Sequence, residues 1–496
     1  MVNRLTRAAR PCAVALALGS GLLVAGCSMI PAYQRPAAPV AAEFPAVAVP
    51  GAAARPTSTV PAADMEWQTF FSDPQLRKLI DAALNNNRDL RIAVLNIEQA
   101  RAQYGIRRAD QFPTVNAALT GSRQPNTANG GTSITSVYTA GFAVTSYELD
   151  FFGRVSSLKE AALAQYLATE EGRKTTQISL IASVANTYLS LLADEELLAT
   201  TRQALSTREE SFKLSKLRFD NGVTSELDLR QAESLLEAAR VSLAQQLRQR
   251  ALNQSALQLL VGQPLTGDLA VVAAPGKGLA DVPMMVDVPA GLPSDLLTRR
   301  PDIRQAEQQL LAANANIGAA RAAFFPRISL TATAGSASSH LSGLFKAGSY
   351  GWTLAPQLLL PIFDAGRNQA GLASANAGRD IAIAQYEKSI QTAFKEVSDA
   401  LAGRATLDEQ LRAQQAQAAA ETTRFKLADL RYQNGIASSL DQLDAQRSLF
   451  AAQQAVVQTR LAQLQSQVTL YKVLGGGWKE PPEPPLNLRA ETQLGR

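Results

Sequence analysis

The chain has 496 residues, a formal net charge of +5 and a single histidine, His340. A histidine-based catalytic triad and a multi-histidine metal site within one chain are therefore excluded, although Asp, Lys or Ser chemistry is not. The sequence contains no phosphate loop, no convincing dinucleotide fingerprint and no Lys/Arg cluster with interleaved aromatics. We therefore expect no enzymatic activity, no cofactor, no metal site and no nucleic-acid partner.

The first predicted element is an export signal over residues 1–26. Three arginines within the first ten residues precede an apolar stretch from Cys12 to Val24, which is too short for a comfortable transmembrane helix. Small residues then precede Cys27 in an order that resembles a bacterial lipobox, which predicts that Cys27 is the lipidated first residue of the mature chain. Ser28 resembles the pattern of lipoproteins sent to the outer membrane. The alternative is an ordinary signal peptide with a chance cysteine.

Residues 27–72 predict an extended surface segment, because they are rich in Pro, Ala and Val and carry little charge. From Asp73 to Asp110 the apolar residues follow helical spacing, and Phe112-Pro113 ends this pattern. Two strands are predicted next, from Thr114 to Thr120 and from Ser136 to Asp150, with a Gly/Ser/Asn-rich turn between them.

Long helices follow the strands. No proline occurs between Gly153 and Pro264, and this stretch predicts one helix to about Phe219 and another from Leu227 to Leu260. At a rise of ~1.5 Å per residue the first helix could reach about 100 Å, which no compact domain needs. The composition is also that of a plain coiled-coil rod, which remains an alternative.

The chain is a duplication. Asp89 recurs as Asp302, and the separation of these two residues, which we call the repeat offset, holds without a gap to about Gly262. The repeat offset relates Phe112-Pro113 to Phe325-Pro326 and Asn221-Gly222 to Asn434-Gly435. One ungapped offset over this span indicates a duplicated structural unit rather than a solenoid, whose period is roughly 20 to 50 residues. We divide the chain into a first repeat (73–263), a connector (264–301), a second repeat (302–475) and a Pro-rich tail (476–496).

The second repeat predicts the same elements, with strands near Arg327 to Thr333 and Tyr350 to Phe363. Four strands of about ten residues cannot close a barrel, and in hydrocarbon an open sheet edge leaves backbone groups unpaired. A small water-soluble sheet is an alternative, but an exported, lipidated chain with weakly alternating strands favours an outer-membrane barrel completed by further copies. The predicted fold class is mainly α with a transmembrane β-barrel portion.

Four segments carry a resemblance to a known family. They are GLPSDLLTRRPDI (291–303), AFFP (323–326), LDAQRSLF (443–450) and LYKVLGGGW (470–478). The chain resembles the TolC-like outer-membrane efflux family, particularly its OprM-type branch, the lipoprotein components of tripartite drug-efflux pumps. The resemblance implies a homotrimer with a twelve-stranded barrel and a periplasmic helical tunnel. It also implies two partners, a periplasmic adaptor (membrane fusion) protein and an inner-membrane, proton-driven pump of the resistance-nodulation-division type.

The function that this resemblance implies is passive conduction through an outer-membrane exit duct of a multidrug efflux pump, with the energy supplied by the inner-membrane partner. Two other functions remain open. The same fold could serve type I protein secretion or metal-ion efflux, and a non-channel lipoprotein rod could tether the envelope. A rod, however, does not need duplicated strand pairs.

Two Asn-Gly turns interrupt the long helices and are predicted to be the periplasmic tips of two helical hairpins. The resemblance adds docking of the adaptor at these tips. The candidate contacts are Asn221, Gly222, Val223, Leu227 and Asp228 in the first repeat, and Asn434, Gly435, Ile436 and Leu440 in the second. Plain helix-loop-helix geometry is the alternative.

A periplasmic gate is predicted just after the second tip. Asp441 and Asp444 are three apart in the sequence, so on a helix they share one face. By resemblance, Asp444 occupies the pore-constricting aspartate position of TolC-like channels, and Asp441 a second position found in part of the family. Three copies would form a ring of carboxylates whose repulsion raises their pKa values and attracts cations. The alternative is a solvated acidic stripe. The first repeat keeps Asp228 as the counterpart of Asp441 but has Gln231 as the counterpart of Asp444. Some gates of the family have an arginine at the position of Ala437, so whether a salt bridge locks this gate is left open.

Overall fold

The computed structural model describes residues 28–45, 60–126, 133–271, 278–283, 285–289 and 299–478. The predicted lipidation site Cys27 and the signal segment lie outside these residues. Parts of the extended segment, the connector and the C-terminal tail also lie outside them, including residues 291–298 of the first family motif.

Helices account for most of the described chain. They are α1 (Trp67–Phe70), α2 (Pro74–Asn86), α3 (Arg88–Ala109), α4 (Arg154–Asp220), α5 (Glu226–Val261), α6 (Pro301–Ala322), α7 (Arg367–Gln433) and α8 (Ser439–Val473). The strands are β1 (Val115–Asn126), β2 (Ser133–Leu149), β3 (Arg327–Ser338) and β4 (Tyr350–Leu359). Short 3-10 turns lie at Ala62–Asp64, Gly267–Leu269, Leu279–Asp281 and Leu341–Gly343. The prediction of a mainly α fold in which each repeat contributes two strands and a long helical hairpin is confirmed.

The long helices follow the sequence repeat. Helices α3 and α6 have 22 residues each, and α4 and α7 have 67 each. Helices α5 and α8 have 36 and 35 residues. The first residues of all three pairs are separated by the repeat offset, as Arg154 and Arg367 are at the starts of α4 and α7. Each side chain of the first hairpin (α4 and α5) therefore has a structural counterpart in the second hairpin (α7 and α8).

The helical pattern between Asp73 and Asp110 is two helices rather than one. Asn87 separates them in an extended conformation, with φ −64° and ψ 133°. Its side-chain oxygen accepts a hydrogen bond from the Leu90 N–H at 2.9 Å and so caps α3, while its amide donates to the Leu260 carbonyl at 2.9 Å. Asparagine is a preferred N-cap residue, which explains why the break occurs here.

The described residues form two compact units. One unit contains the sheet and comprises described residues of 1–37, 96–170 and 305–387, and the other comprises those of 38–95, 171–304 and 388–496. An aromatic stack lies in the core of the second unit. The ring of Tyr471 stacks on Phe70 with centroids 3.9 Å apart, and its hydroxyl donates to the Met65 carbonyl at 2.7 Å. The buried hydroxyl therefore has its hydrogen-bond partner.

The four strands form one antiparallel sheet in the order β1-β2-β3-β4. The register places Phe142 opposite Ala334 and Ala334 opposite Trp352, so these three residues share one face. On β4 this face carries Tyr350, Trp352, Leu354, Pro356 and Leu358, and the opposite face carries Gly351, Thr353, Ala355, Gln357 and Leu359. One face is thus apolar, and the other is small or polar up to Leu359 at the strand end. Strands β1 and β4 are edges without a strand partner within the described chain.

The strands differ in length from their predicted bounds. Strand β1 continues to Asn126 rather than Thr120, and pairs such as Ser122 with Val137 extend its ladder with β2. In the second repeat, β3 ends at Ser338 rather than Thr333, and β4 ends at Leu359 rather than Phe363. Backbone groups make the ladder hydrogen bonds, so polar side chains that suggested a turn are compatible with strand.

Among the described helices, α4 alone has the length and apolar composition of a membrane-spanning helix. However, 56% of its most apolar 18-residue window is buried inside the protein. This burial is typical of a core helix.

Candidate gate and docking site at the helical tips

The first hairpin turns through a Schellman motif at the end of α4. The Gly222 N–H donates to the Phe219 carbonyl and the Val223 N–H to the Arg218 carbonyl, both at 2.8 Å. Gly222 has a φ of 71°, in the left-handed region that favours glycine. The predicted Asn-Gly turn therefore lies between the two helices of the hairpin.

The second hairpin repeats this turn. Gly435 has a φ of 72°, and the Ile436 N–H donates to the Arg431 carbonyl at 2.8 Å. Each turn then leads into a serine that caps the next helix, Ser225 before α5 and Ser438 before α8. The two tips are therefore built from the same pair of helix-capping motifs.

Asp228 ties the two hairpins together. One carboxylate oxygen accepts from the Ser225 hydroxyl at 2.7 Å and the Thr224 hydroxyl at 2.9 Å, completing the capping box of α5. The other oxygen accepts from the hydroxyl of Ser439, on α8, at 2.5 Å. The bond from Ser439 and those from Ser225 and Thr224 lower the pKa of Asp228 to about 2, because they stabilise the ionised form.

Asp441, the counterpart of Asp228, has fewer contacts. Its carboxylate accepts from the Ser438 hydroxyl at 2.9 Å and the Ser438 N–H at 3.3 Å, which completes the capping box of α8. Within the described residues it has no ion-pair partner. This carboxylate is therefore free to meet charge from outside the chain.

Asp444 is held by two arginines. Arg424, on α7, donates to one oxygen at 2.6 Å, and Arg447, on α8, pairs with the other. The hydrogen bond from Arg424 and the charges of both arginines lower the pKa of Asp444. This direction, found within one chain, is opposite to the rise expected from three converging carboxylates. Asp444 thus pairs with two arginines of its own chain, although the gate arginine position of some relatives, residue 437, is an alanine here.

A groove of about 230 Å³ separates α5 from α8 beside Asp444. Its lining residues are Gln231, Ser234 and Leu235 on α5 and Leu440, Leu443, Asp444 and Arg447 on α8. Gln231 and Asp444 are counterparts under the repeat and line the same groove, whereas Asp441 does not line it. The structure therefore gives the two predicted gate aspartates different surroundings.

Both tips expose apolar side chains at equivalent positions. Val223 is 73% exposed and its counterpart Ile436 is 70% exposed. Leu227 and its counterpart Leu440 are also exposed. Isolated apolar residues on a surface need no explanation, but the same pair on two adjacent tips forms a candidate docking surface.

Sequence reasoning missed three residues of this site. Arg447 could have been found, because it follows Asp444 at the i,i+3 spacing of helical ion pairs. Arg424 and Ser439 act across helices, and no local spacing indicates which residue they meet.

Comparison with known proteins shows which family has this architecture. The profile of the outer membrane efflux protein family matches residues 79–263 and 292–476, the two halves of the duplication. The chain belongs to this family. It is 51% identical over 468 residues to the antibiotic efflux pump outer membrane protein ArpC of Pseudomonas putida, covering 93% of this chain and 95% of ArpC. It is 48% identical over 461 residues to the solvent efflux pump outer membrane protein SrpC of the same species, covering 92% and 97%.

A solved structure of the efflux family has the same fold. The open state of the MtrE outer membrane channel of Neisseria gonorrhoeae matches with a TM-score of 0.80 and 41% identity, covering 91% of this chain and 99% of that one. The resemblance to TolC-like efflux proteins is therefore confirmed, as is the outer membrane as the location.

Proposed function

We propose that this chain is the outer-membrane exit duct of a tripartite efflux pump for antibiotics and organic solvents. The observation that carries the proposal is the sheet: one apolar and one small or polar face with two unpartnered edges, in a chain of the outer membrane efflux family. Two of its relatives bear the names of antibiotic and solvent efflux proteins. These names favour this function over type I protein secretion, metal-ion efflux or a structural rod.

Closure of the barrel requires further copies of the chain. An open strand edge in hydrocarbon leaves a row of backbone N–H and C=O groups unpaired, at a cost of several kcal/mol for each group. We propose a homotrimer in which β4 of one chain pairs with β1 of the next, giving twelve strands. The periplasmic adaptor and the inner-membrane resistance-nodulation-division pump are the proposed partners, and Cys27 is the proposed lipid attachment site.

Purified protein tests this function directly. We expect light scattering in detergent to give three chain masses and planar bilayers to show discrete channels. In cells that lack their own outer-membrane efflux proteins but contain a matching adaptor and pump, the chain should restore resistance to antibiotics and to toluene. A monomer without channels would contradict the proposal, and export of a metal ion or a protein alone would assign the chain to another exporter.

The adaptor is proposed to dock on the exposed apolar residues of both tips. Crosslinkers placed at Thr224 and Ala437, which lie within the two turns, should reach the adaptor. Crosslinks formed only from positions in the sheet would contradict this docking site.

The gate is proposed to be formed by Asp441 and Asp444 where three chains converge. Replacing both with alanine removes the carboxylates and frees Arg424 and Arg447, so we expect higher conductance, weaker cation selectivity and weaker block by divalent ions. Glu409→Ala is a matched control, because Glu409 is also a helical acid in an i,i+3 pair with an arginine. If all three properties of the double variant equal those of the wild type, these aspartates do not line the closed pore.

A further inference from the structure

The two hairpins of one chain contact each other near their tips through hydrogen bonds from neutral donors. Ser439 on the second hairpin donates to Asp228 on the first. Two turns further along α8, the Gln446 side-chain amide donates to the Ser211 hydroxyl at 2.8 Å. These contacts define one hairpin-to-hairpin seam, which we call the intrachain seam.

The duplication predicts a second, similar seam between neighbouring chains. In the proposed trimer the hairpins alternate around a ring, so the second hairpin of each chain faces the first hairpin of the next. Because the helices of both hairpins correspond at the repeat offset, a ring with the same seam at every hairpin would give each intrachain contact a counterpart between chains. The counterpart is found by replacing each residue of the contact with the equivalent residue of the other hairpin.

This conversion changes the chemistry of the contact. The pair Ser211 and Gln446 becomes Arg424 of one chain and Glu233 of the next. We propose that Arg424 and Glu233 of neighbouring chains form an ion pair that holds the tips of the assembled channel together. The inference rests on the proposed trimer and gives Arg424, which holds the gate residue Asp444 within its own chain, a further carboxylate partner in the next chain.

Both residues are accessible within one chain. The side chain of Glu233 is 42% exposed and pairs with Arg230 at 2.7 Å, and that of Arg424 is 48% exposed. Arg424 already faces two carboxylates, Asp444 at 2.6 Å and Glu421 at 3.2 Å. Its guanidinium group has five N–H donors, which is enough to bind a further carboxylate from the next chain.

Two other converted contacts fit the same seam. The cation–π contact of Arg218 with the Tyr432 ring, at 4.5 Å, becomes Arg431 with Phe219 of the next chain, which preserves a cation over an aromatic ring. The contact of Gln465 with Ser190, at 3.1 Å, becomes Leu252 with Gly403. Leu252 is exposed within one chain, so a neighbouring chain can cover its side chain.

Two converted contacts are repulsive. The cation–π contact of Arg208 with the Phe450 ring, at 5.1 Å, becomes Glu421 of one chain and Glu237 of the next, each of which already pairs with an arginine of its own chain. Asp228 and Ser439 become Asp441 of one chain and Glu226 of the next, two carboxylates where the intrachain seam has a hydrogen bond. Arg230 pairs with Glu226 at 3.3 Å and offsets part of this repulsion. The seam between chains therefore combines an attractive pair, Arg424 and Glu233, with a repulsive pair nearer the turn. Neutralising the two pairs should change the closed state in opposite directions.

Proximity is tested by cysteine crosslinking of the full-length protein in detergent. Glu233→Cys combined with Arg424→Cys, treated with a short bifunctional thiol reagent, should give products of two and three chain masses. Ser211→Cys combined with Gln446→Cys is the matched control and should link only within a chain. The wild-type protein, treated with the same reagent, shows any crosslinking through the cysteines already present in the chain. Control crosslinks without interchain products from the Glu233 and Arg424 pair would overturn the inference.

The energetic coupling between Glu233 and Arg424 is tested by measuring conductance in planar bilayers. Glu233→Gln and Arg424→Gln should each raise the conductance several-fold, and the double variant should raise it no further than the larger single change. Glu226→Gln should lower it. Additive effects of the first two substitutions would overturn the inference. Light scattering separates this outcome from failure of the proposed function. If the wild type is a trimer that conducts and the two substitutions are additive, the proposed channel stands and only the ion pair is ruled out.

Discussion

Asp228 and Asp441 occupy equivalent positions but differ in two contacts, since Asp228 also accepts from the Thr224 hydroxyl and from Ser439. Both complete a capping box, whereas only Asp228 also accepts a hydrogen bond from the opposite hairpin. Loss of a cap costs about 0.5–2 kcal/mol. We therefore expect Asp441→Ala to speed amide hydrogen exchange in its tip about fivefold and Asp228→Ala to speed exchange in both tips by a larger factor. Equal effects confined to one tip each would show that the bond to Ser439 contributes nothing.

The pH dependence of the Asp228 contribution follows from its lowered pKa. A carboxyl group whose pKa is lower in the folded than in the unfolded chain stabilises the fold above the unfolded value and loses that effect as the pH falls through the folded value. For Asp228 this window runs from about pH 4 to about pH 2. The difference in thermal unfolding midpoint between wild type and Asp228→Ala should be constant from pH 7 to pH 5 and shrink below pH 4.

Within the sheet, strands β2 and β3 approach closely at Gly141 and Gly335, which are opposite each other. A Cβ atom on Gly141 would lie 2.4 Å from the Ala334 carbonyl oxygen and 2.6 Å from the Gly335 Cα. We expect Gly141→Ala to separate the strands, at a cost of about 1–3 kcal/mol, and to lower the thermal unfolding midpoint. Gly105→Ala, in α3, is the control, because a Cβ there meets nothing within 4 Å. Equal midpoints for both variants would contradict this account.

The end of β2 is held by a buried carboxylate. Glu148 accepts two hydrogen bonds from Arg154, both at 2.7 Å, and pairs with Arg327 at 2.7 Å, joining β2 to the start of α4 and of β3. Removing one member of a fully buried pair costs about 3–5 kcal/mol, and we expect Glu148→Gln to cost less, about 1–3 kcal/mol, because both arginines are partly exposed. Asp399→Asn, in an exposed pair with Lys395, should cost less than about 1 kcal/mol. Similar thermal unfolding midpoints for the two variants would contradict the structural role of Glu148.

The long helices and their turns were predictable because each carries its own signal. A 67-residue stretch without proline, ended by Asn-Gly and followed by a capping serine, allows few alternatives. Strand ends were less predictable, since residues such as Ser122 and Arg123 pair through their backbones while their side chains suggest a turn. The partners of Asp444 could be only half predicted, because Arg447 is near in sequence and Arg424 lies on another helix.

At the scale of the whole molecule, the segment that would follow the lipidated cysteine is fixed to the protein. Arg35 makes two hydrogen bonds to Glu307, at 2.8 and 2.6 Å, and Tyr33 donates to the same carboxylate at 3.0 Å. The Asn314 side chain donates to the Pro31 carbonyl at 2.8 Å. Residues 31–35 of the segment thus lie along α6.

We expect this attachment, together with a closed barrel, to make the lipid dispensable for conduction. A lipid at Cys27 anchors only the N-terminus of the chain, whereas a barrel buries an apolar surface around its whole circumference. We therefore expect Cys27→Ser to lose its lipid, by mass spectrometry of the mature N-terminus, while the protein remains in the outer-membrane fraction with wild-type conductance. An unmodified N-terminus at another residue in the wild type would rule out Cys27 as the lipid site. Recovery of Cys27→Ser from the soluble periplasmic fraction would show instead that the lipid, and not the barrel, holds the channel in the membrane.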